Sequence, residues 1–225
     1  MKYTYINNFL KNNIMIRKLI LQVNVPYFSK NKKLRAYTYI EDMYNLSEKQ
    51  ARKYAAKCNA DYYKVVDPDD WKPAAGKHVT YQKMKVYDLT DYDLIVYLDS
   101  DYIIKDNAPN LFELCGNNFS AVTDPGSIVN KLANKLGVPR ERYFNAGFFY
   151  ITKPILDLSR STALEYIKKD WDYEDQGLWN RMFYDLGIEY HPLKAEEWNP
   201  TEETFGLYAD HYAGSFKSRW DSNRY

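Results

Sequence analysis

Apolar residues in this chain fall into short unbroken runs, separated by polar stretches with helical spacing. The first run, Leu19-Ile20-Leu21-Gln22-Val23, stops at Asn24-Val25-Pro26-Tyr27. Tyr62 to Val66, Leu94 to Leu98, Phe119 to Thr123 and Gly147 to Thr152 have the same character. Short apolar runs bounded by turn formers predict strands, buried on both faces where the run is continuous. Between the first two, Ser47-Glu48-Lys49-Gln50 has the form of a capping box with Ser47 at the N-cap. Ala51, Tyr54, Ala55 and Cys58 then recur at helical spacing. Further helices are predicted over His78 to Leu89, Ser161 to Asp170 and Gln176 to Leu186. Strands alternating with helices in this order predict an α/β fold with a mainly parallel central sheet.

Composition changes this picture in a few respects. The chain has 225 residues, with neither an internal repeat nor a low-complexity linker, which suits one domain over 18–225. Residues 1–17, rich in Asn and Lys, read as a loosely held N-terminal extension. Lys and Arg number 31 against 30 Asp and Glu, a net charge of +1, so there is no overall basic footprint for nucleic acid or an anionic membrane. An anionic ligand has to be met by local groups. The opening MKYTYINNFLKNNIMIRKLI is broken by Asn and Lys before any apolar core develops, unlike a secretory signal, and no run of 18 apolar residues predicts a transmembrane segment. Cys58 and Cys115 lie far apart without metal-ligand spacing, which points to a reducing, cytoplasmic setting and small buried thiols. The 23 Tyr residues suit sugar faces, since flat rings stack on sugar C–H groups, and they equally suit an aromatic core.

The chemistry centres on Ile95-Val96-Tyr97-Leu98-Asp99-Ser100-Asp101-Tyr102-Ile103-Ile104. A strand apolar on both faces belongs in the middle of a covered sheet, and ligands of such sheets bind beyond the carboxyl ends of the strands, where Asp99 and Asp101 fall. With the backbone extended, the two carboxylates point to one side and Ser100 to the other. Two like charges so placed call for a divalent cation that could bridge to ligand phosphates. Two other readings stay open from this motif: the two Asp residues cap a turn, or Asp99 is the nucleophile of a phosphoryl-transfer enzyme.

Downstream segments bear on that choice. Tyr143-Phe144-Asn145-Ala146-Gly147-Phe148-Phe149-Tyr150-Ile151, then Asp175-Gln176-Gly177-Leu178-Trp179-Asn180, then Glu197-Trp198-Asn199, then His211-Tyr212-Ala213-Gly214-Ser215-Phe216-Lys217 follow in order. Together with Asp99-Ser100-Asp101 and Tyr81-Gln82-Lys83-Met84 they resemble the glycogenin and bacterial galactosyltransferase family, the retaining glycosyltransferases of family 8. The resemblance covers residues 77–217 well and 19–27 faintly. It implies a GT-A, Rossmann-like fold that binds a nucleotide-sugar donor, a UDP-sugar with Mn2+, or Mg2+ as the second choice, and passes the sugar to a glycan or other hydroxyl acceptor.

The resemblance also implies roles. Asp99, Asp101 and His211 would hold the metal, and an imidazole among oxygens favours Mn2+ over Mg2+. Asn24, Tyr27, Lys83, Asp99, Ser100, Asn145, Ala146, Gly147, Gly214 and Lys217 would bind the donor. Asp175 and Gln176 would act at the reacting sugar, although Asp175 also suits a helix N-cap. By charge alone Lys83 reads as a helix-surface residue, and His78 and His191 carry no metal expectation. The chain departs from the family pattern at Val25, where the family has Asp, and at Gly177, where the Asp-Gln-Asp motif loses its second carboxylate. An inverting enzyme would instead take its base from the acidic residues of Trp171 to Asp175.

Overall fold

The computed structural model describes residues 15–25, 41–124, 126, 128–171, 174–198, 205–212 and 220. The central sheet contains β1 (Lys18–Val23), β2 (Asp61–Val65), β3 (Leu94–Asp99), β5 (Phe119–Thr123), β6 (Phe144–Thr152) and β7 (Tyr190–Leu193), in the spatial order β2-β1-β3-β6-β5-β7. A separate antiparallel pair joins β4 (Tyr102–Ile104) to β8 (Ala209–His211). Parallel pairing holds between β1 and β2, β1 and β3, and β5 and β7, so the sheet is mainly parallel, with β6 running against both neighbours.

The unbroken apolar runs have the expected consequence. In β3, Ile95 and Tyr97 enter one hydrophobic core while Val96 and Leu98 enter the other, so alternate side chains are buried on opposite faces of the sheet. The first core is covered by α4 (Lys153–Tyr166), α5 (Glu174–Asp185) and the helix over Val79–Asp88. The second is covered by α1 (Glu41–Lys57) and by the short helices α2 (Leu111–Leu114) and α6 (Ala195–Trp198), with α3 (Val129–Leu136) packed apart on Tyr143.

Four expectations change in detail. Ser47 is not an N-cap: α1 begins at Glu41 and Ser47 is wholly buried inside it. Its hydroxyl donates to the Tyr102 carbonyl and accepts from Gln22 Nε2 at 2.8 Å. The helix over Val79–Asp88 is of the 3-10 type, capped by the His78 side chain. Tyr81, Met84 and Tyr87, three residues apart, all enter the core, which suits three residues per turn better than 3.6. The helix expected at Ser161 to Asp170 instead spans Lys153–Tyr166, opened by Pro154. Lastly, the backbone is not extended through Asp101, because β3 ends at Asp99 and Ser100 and Asp101 form a turn into β4.

The register shows what the sheet positions. Val23 lies opposite both Val65 and Asp99, so β1, β2 and β3 end on one line. Leu98 lies opposite Phe148 on antiparallel β6, which carries the beginning of β6, Asn145 to Gly147, past the end of β3.

Candidate active site

One oxygen each from Asp99 and Asp101 and one nitrogen of His211 lie within 4.8 Å of one another. Asp99 closes β3, Asp101 sits in the turn, and His211 arrives on β8 because the β4–β8 register places it opposite Tyr102. The imidazole stacks on the Tyr102 ring at 4.5 Å between centroids, and its Nε2 lies 3.3 Å from Asp101 Oδ1. The Tyr212 N–H donates to the Asp101 carbonyl at 2.9 Å, which fixes the strand to the turn. The carboxylates thus converge through a turn and a second strand pairing rather than through extended backbone.

Whether this set fits a cation is answered by Gly147. A Cβ at that position would stand 2.8 Å from Asp99 Oδ2, 2.9 Å from Asn145 Oδ1 and 3.3 Å from His211 Cε1. A glycine here keeps a side chain out of the space beside the ligating atoms. Two carboxylates and an imidazole are a donor set for a divalent ion such as Mn2+.

Lys83 overturns the helix-surface reading. It is 2% exposed, and its Nζ lies 2.6 Å from Asp175 Oδ2, 3.3 Å from Asp99 Oδ1 and 3.0 Å from the Ala146 carbonyl. Burial pulls the Lys83 ammonium down, but the carboxylates of Asp175 and Asp99 outweigh it and hold the group above its ordinary value, so it stays charged. Asp99 is held above the ordinary carboxylate range by burial, against the opposing pull of Lys83 and with Asp101 and Asp175 adding repulsion. It sits deep among protein atoms, yet 30% of its side chain meets solvent, so its desolvation is less complete than its depth alone suggests. The Tyr97 hydroxyl donates to Asp99 Oδ1, and burial followed by the Asp99 charge pushes that phenol well up.

The start of β6 is bound to α5. The Asn180 side chain accepts from Phe144 N at 2.8 Å and donates to the Phe144 carbonyl at 2.9 Å. Gln176 Oε1 accepts from Ala146 N at 3.2 Å, while its Nε2 donates to Asp124 Oδ2 at 2.8 Å and to the Tyr143 hydroxyl at 3.3 Å. Asn145 Oδ1 accepts from Gly147 N at 2.8 Å, folding the segment tightly. Asp175 is the second residue of α5 rather than its N-cap, and its side chain turns inward to Lys83.

Of the other expected residues, Asn24 directly follows β1 with its backbone N–H on the Val65 carbonyl, and its Oδ1 is buried without a hydrogen-bond partner among the described residues. Ser100 lies in the turn, partly exposed. Tyr27, Gly214 and Lys217 lie outside the described residues. His78 pairs with Glu174 at 2.8 Å and stays out of the ligand set, as does exposed His191. Sequence reasoning missed Asp124, although it follows the apolar run Phe119 to Thr123 as Asp99 ends its own strand. It also missed Tyr143 and Gln22; the latter, wholly buried in β1, reaches toward the Asp99 carbonyl at 3.4 Å.

Among known proteins, the family model described as Glycosyl transferase family 8 matches residues 6–219. The chain belongs to glycosyl transferase family 8. It is similar to galactinol synthase 1 of Solanum lycopersicum, 27% identical over 157 residues, which are 63% of this chain and 49% of that protein. It is also similar to galactinol synthase 2 of Arabidopsis thaliana, 29% identical over 138 residues, 51% of this chain and 39% of the relative. The chain thus spans about half or less of the curated relatives it matches. Its fold is shared by solved structures, among them the following two. A glycosyltransferase involved in glycosylation of the major capsid of PBCV-1 aligns with TM-score 0.59 at 11% identity, over 90% of this chain and 98% of that one. The galactosyltransferase LgtC, solved in complex with donor and acceptor sugar analogs, aligns with TM-score 0.53 at 17% identity over 88% of this chain and 87% of LgtC. This family 8 chain therefore has the GT-A fold, which speaks against the phosphoryl-transfer reading of Asp99. Among the described residues no helix is long and apolar enough to cross a membrane.

Proposed function

We propose that this protein transfers a hexose or pentose from a nucleotide-diphosphate sugar, with UDP as the carrier, to a hydroxyl acceptor, with retention at the anomeric carbon and dependence on Mn2+. The observation that carries the reading is the convergence of Asp99, Asp101 and His211 beside Gly147. When bound there, a divalent cation supplies positive charge to the diphosphate leaving group. Ser100 and Asn24 line the nucleotide side at the ends of β3 and β1, where ligands of open α/β sheets bind. On the sequence resemblance, Tyr27 adds to the nucleotide contacts and Gly214 and Lys217 to those with the diphosphate, where a Lys would offset the growing negative charge.

The sugar subsite consists of Lys83, Asn145, Ala146, Gly147, Asp175 and Gln176. Lys83, whose three N–H donors are taken by Asp175, Asp99 and the Ala146 carbonyl, holds Asp175 in place, and Asp175 offers an acceptor to sugar hydroxyls. An inverting enzyme needs a free carboxylate as base; of the acidic residues in Trp171 to Asp175, Glu174 is engaged by His78 and Thr80 and Asp175 by Lys83, and Asp172 lies outside the described residues. That supports retention by front-face attack, in which the departing phosphate oxygen takes the acceptor's proton and Gln176, a poor nucleophile, orients the reacting sugar.

The test is Asp99→Ala. Calorimetric titration with UDP and Mn2+ should show Mn2+-dependent binding in the wild type and none in the variant, with transfer lost alongside. Full activity in the variant refutes the metal assignment. The anomeric configuration of the product, read by NMR, decides retention: a product of opposite configuration to the donor refutes it.

A further inference from the structure

The side-chain amide of Gln176 is held in one orientation by partners at both its ends. A primary amide carries two N–H donors and one oxygen with two lone pairs. Here Nε2 gives its hydrogens to Asp124 Oδ2 at 2.8 Å and the Tyr143 hydroxyl at 3.3 Å, and Oε1 takes the Ala146 N–H at 3.2 Å. Flipping the amide would set Oε1 against the Asp124 carboxylate and the NH2 group against the Ala146 N–H, so two independent partners oppose the flip. Asp124 is itself fixed. Its Oδ1 accepts from Gly126 N at 2.9 Å and its carbonyl accepts from Arg140 Nη2 at 2.6 Å. Asn180 Nδ2 also donates to the Gln176 carbonyl at 2.9 Å, tying the backbone down.

We propose that Asp124 and Tyr143 are positioning residues that lock the Gln176 amide so that it presents a lone pair of Oε1, and no N–H, to the substrate. The feature selected is a ligand hydroxyl that donates its proton to Oε1. The kinetic consequence rests on the glycosyltransferase reading above, whereas the locked orientation does not.

Two measurements separate these claims. In 15N-labelled protein without donor, exchange of the Gln176 side-chain N–H protons should be slow in the wild type. It should stay slow in Asp124→Asn, whose amide oxygen can still accept from Gln176 after releasing the exposed Gly126 N–H, and become fast in Asp124→Ala. With Mn2+ and either UDP-glucose or UDP-galactose, the rate of UDP release should fall about 100-fold in kcat for Asp124→Ala, the scale of a misplaced catalytic group, with KM little changed. Asp124→Asn should stay within about threefold of the wild type, well inside that loss.

A fast-exchanging wild-type amide overturns the proposal, as does an Asp124→Ala variant that keeps slow exchange and rate. An Asn variant as slow in kcat as the Ala variant shows that the Asp124 charge itself acts, and also overturns it. Tyr143→Phe removes a single hydroxyl from a buried ring, so it carries the test should Asp124→Ala fail to fold; unchanged exchange and kcat there refute the part assigned to Tyr143. A wild type that releases no UDP from either donor refutes the donor assignment, while the exchange measurement still decides the locked amide.

Discussion

Gly147 shows how one residue can decide whether a set of ligands can act. Its missing side chain leaves open the space next to Asp99 Oδ2 and His211 Cε1. Gly147→Ala should therefore weaken Mn2+ binding by at least about tenfold, the lower end of what disturbing the surroundings of a metal costs, as measured by electron paramagnetic resonance titration. Equal affinity in the variant would show that the space is not used. The paired Asp residues stand out in the sequence because they follow an apolar strand, whereas Asn145 and Gly147 were singled out by the family resemblance. Lys83 was legible only through the family resemblance, because in Lys-Met-Lys-Val nothing local separates a buried lysine from Lys85, which pairs with Asp70 and Asp88 nearer solvent. The difference arises from carboxylates far along the chain, Asp99 and Asp175, which make burial of the ammonium tolerable.

At the scale of elements, α1 is fastened to the sheet by polar contacts placed inside an apolar interface. Gln22, Ser47, Tyr62 and the Tyr102 carbonyl form one buried network, and it reaches both ends of the turn that carries Asp101. Ser47→Ala leaves the Tyr102 carbonyl without its hydroxyl partner and should lower unfolding stability by about 1–3 kcal/mol in urea titration. A loss within experimental error would mean that another donor replaces it. Ser47 was misread for a physical reason: Ser followed three residues later by Gln is the pattern of a helix start, and only the packing partner reveals a helix interior.

The same helix carries a measurable acid response. Burial raises the Glu48 carboxyl, but Lys64 and Arg52 outweigh it and hold it below its ordinary value of 4.5. A carboxyl lowered on folding contributes stability above its unfolded value, and that contribution disappears as pH falls through the folded one. Glu48→Gln should thus cost about 0.2–1 kcal/mol at pH 7 and progressively less as pH falls below 4.5, by urea unfolding across that range. A pH-independent cost would place the effect in packing instead of charge.

For the whole molecule, run length and spacing made the strands and the α/β class readable, but strand direction leaves no local trace. The reversal of β6 depends on which neighbours it meets, and it is this reversal that sets Asn145 to Gly147 opposite the end of β3. The β4–β8 pairing was equally hidden, since three-residue strands at 102–104 and 209–211 carry too little pattern to be recognised apart. That pairing closes the intervening polypeptide into a ring, and closing so long a ring costs conformational entropy that three backbone pairs must offset. A cation shared by Asp101 and His211 would be a second fastening at the same joint. Saturating Mn2+ at about 100 times its dissociation constant would add about 2.7 kcal/mol to stability, visible as a rise in Tm. A chelator should speed exchange of the Tyr212 amide hydrogen first, because its acceptor is the Asp101 carbonyl at the joint. An ion recruited for chemistry would then also act as a removable crosslink, so that protein purified in chelator would differ from the loaded enzyme in the closure of its chain as well as in activity.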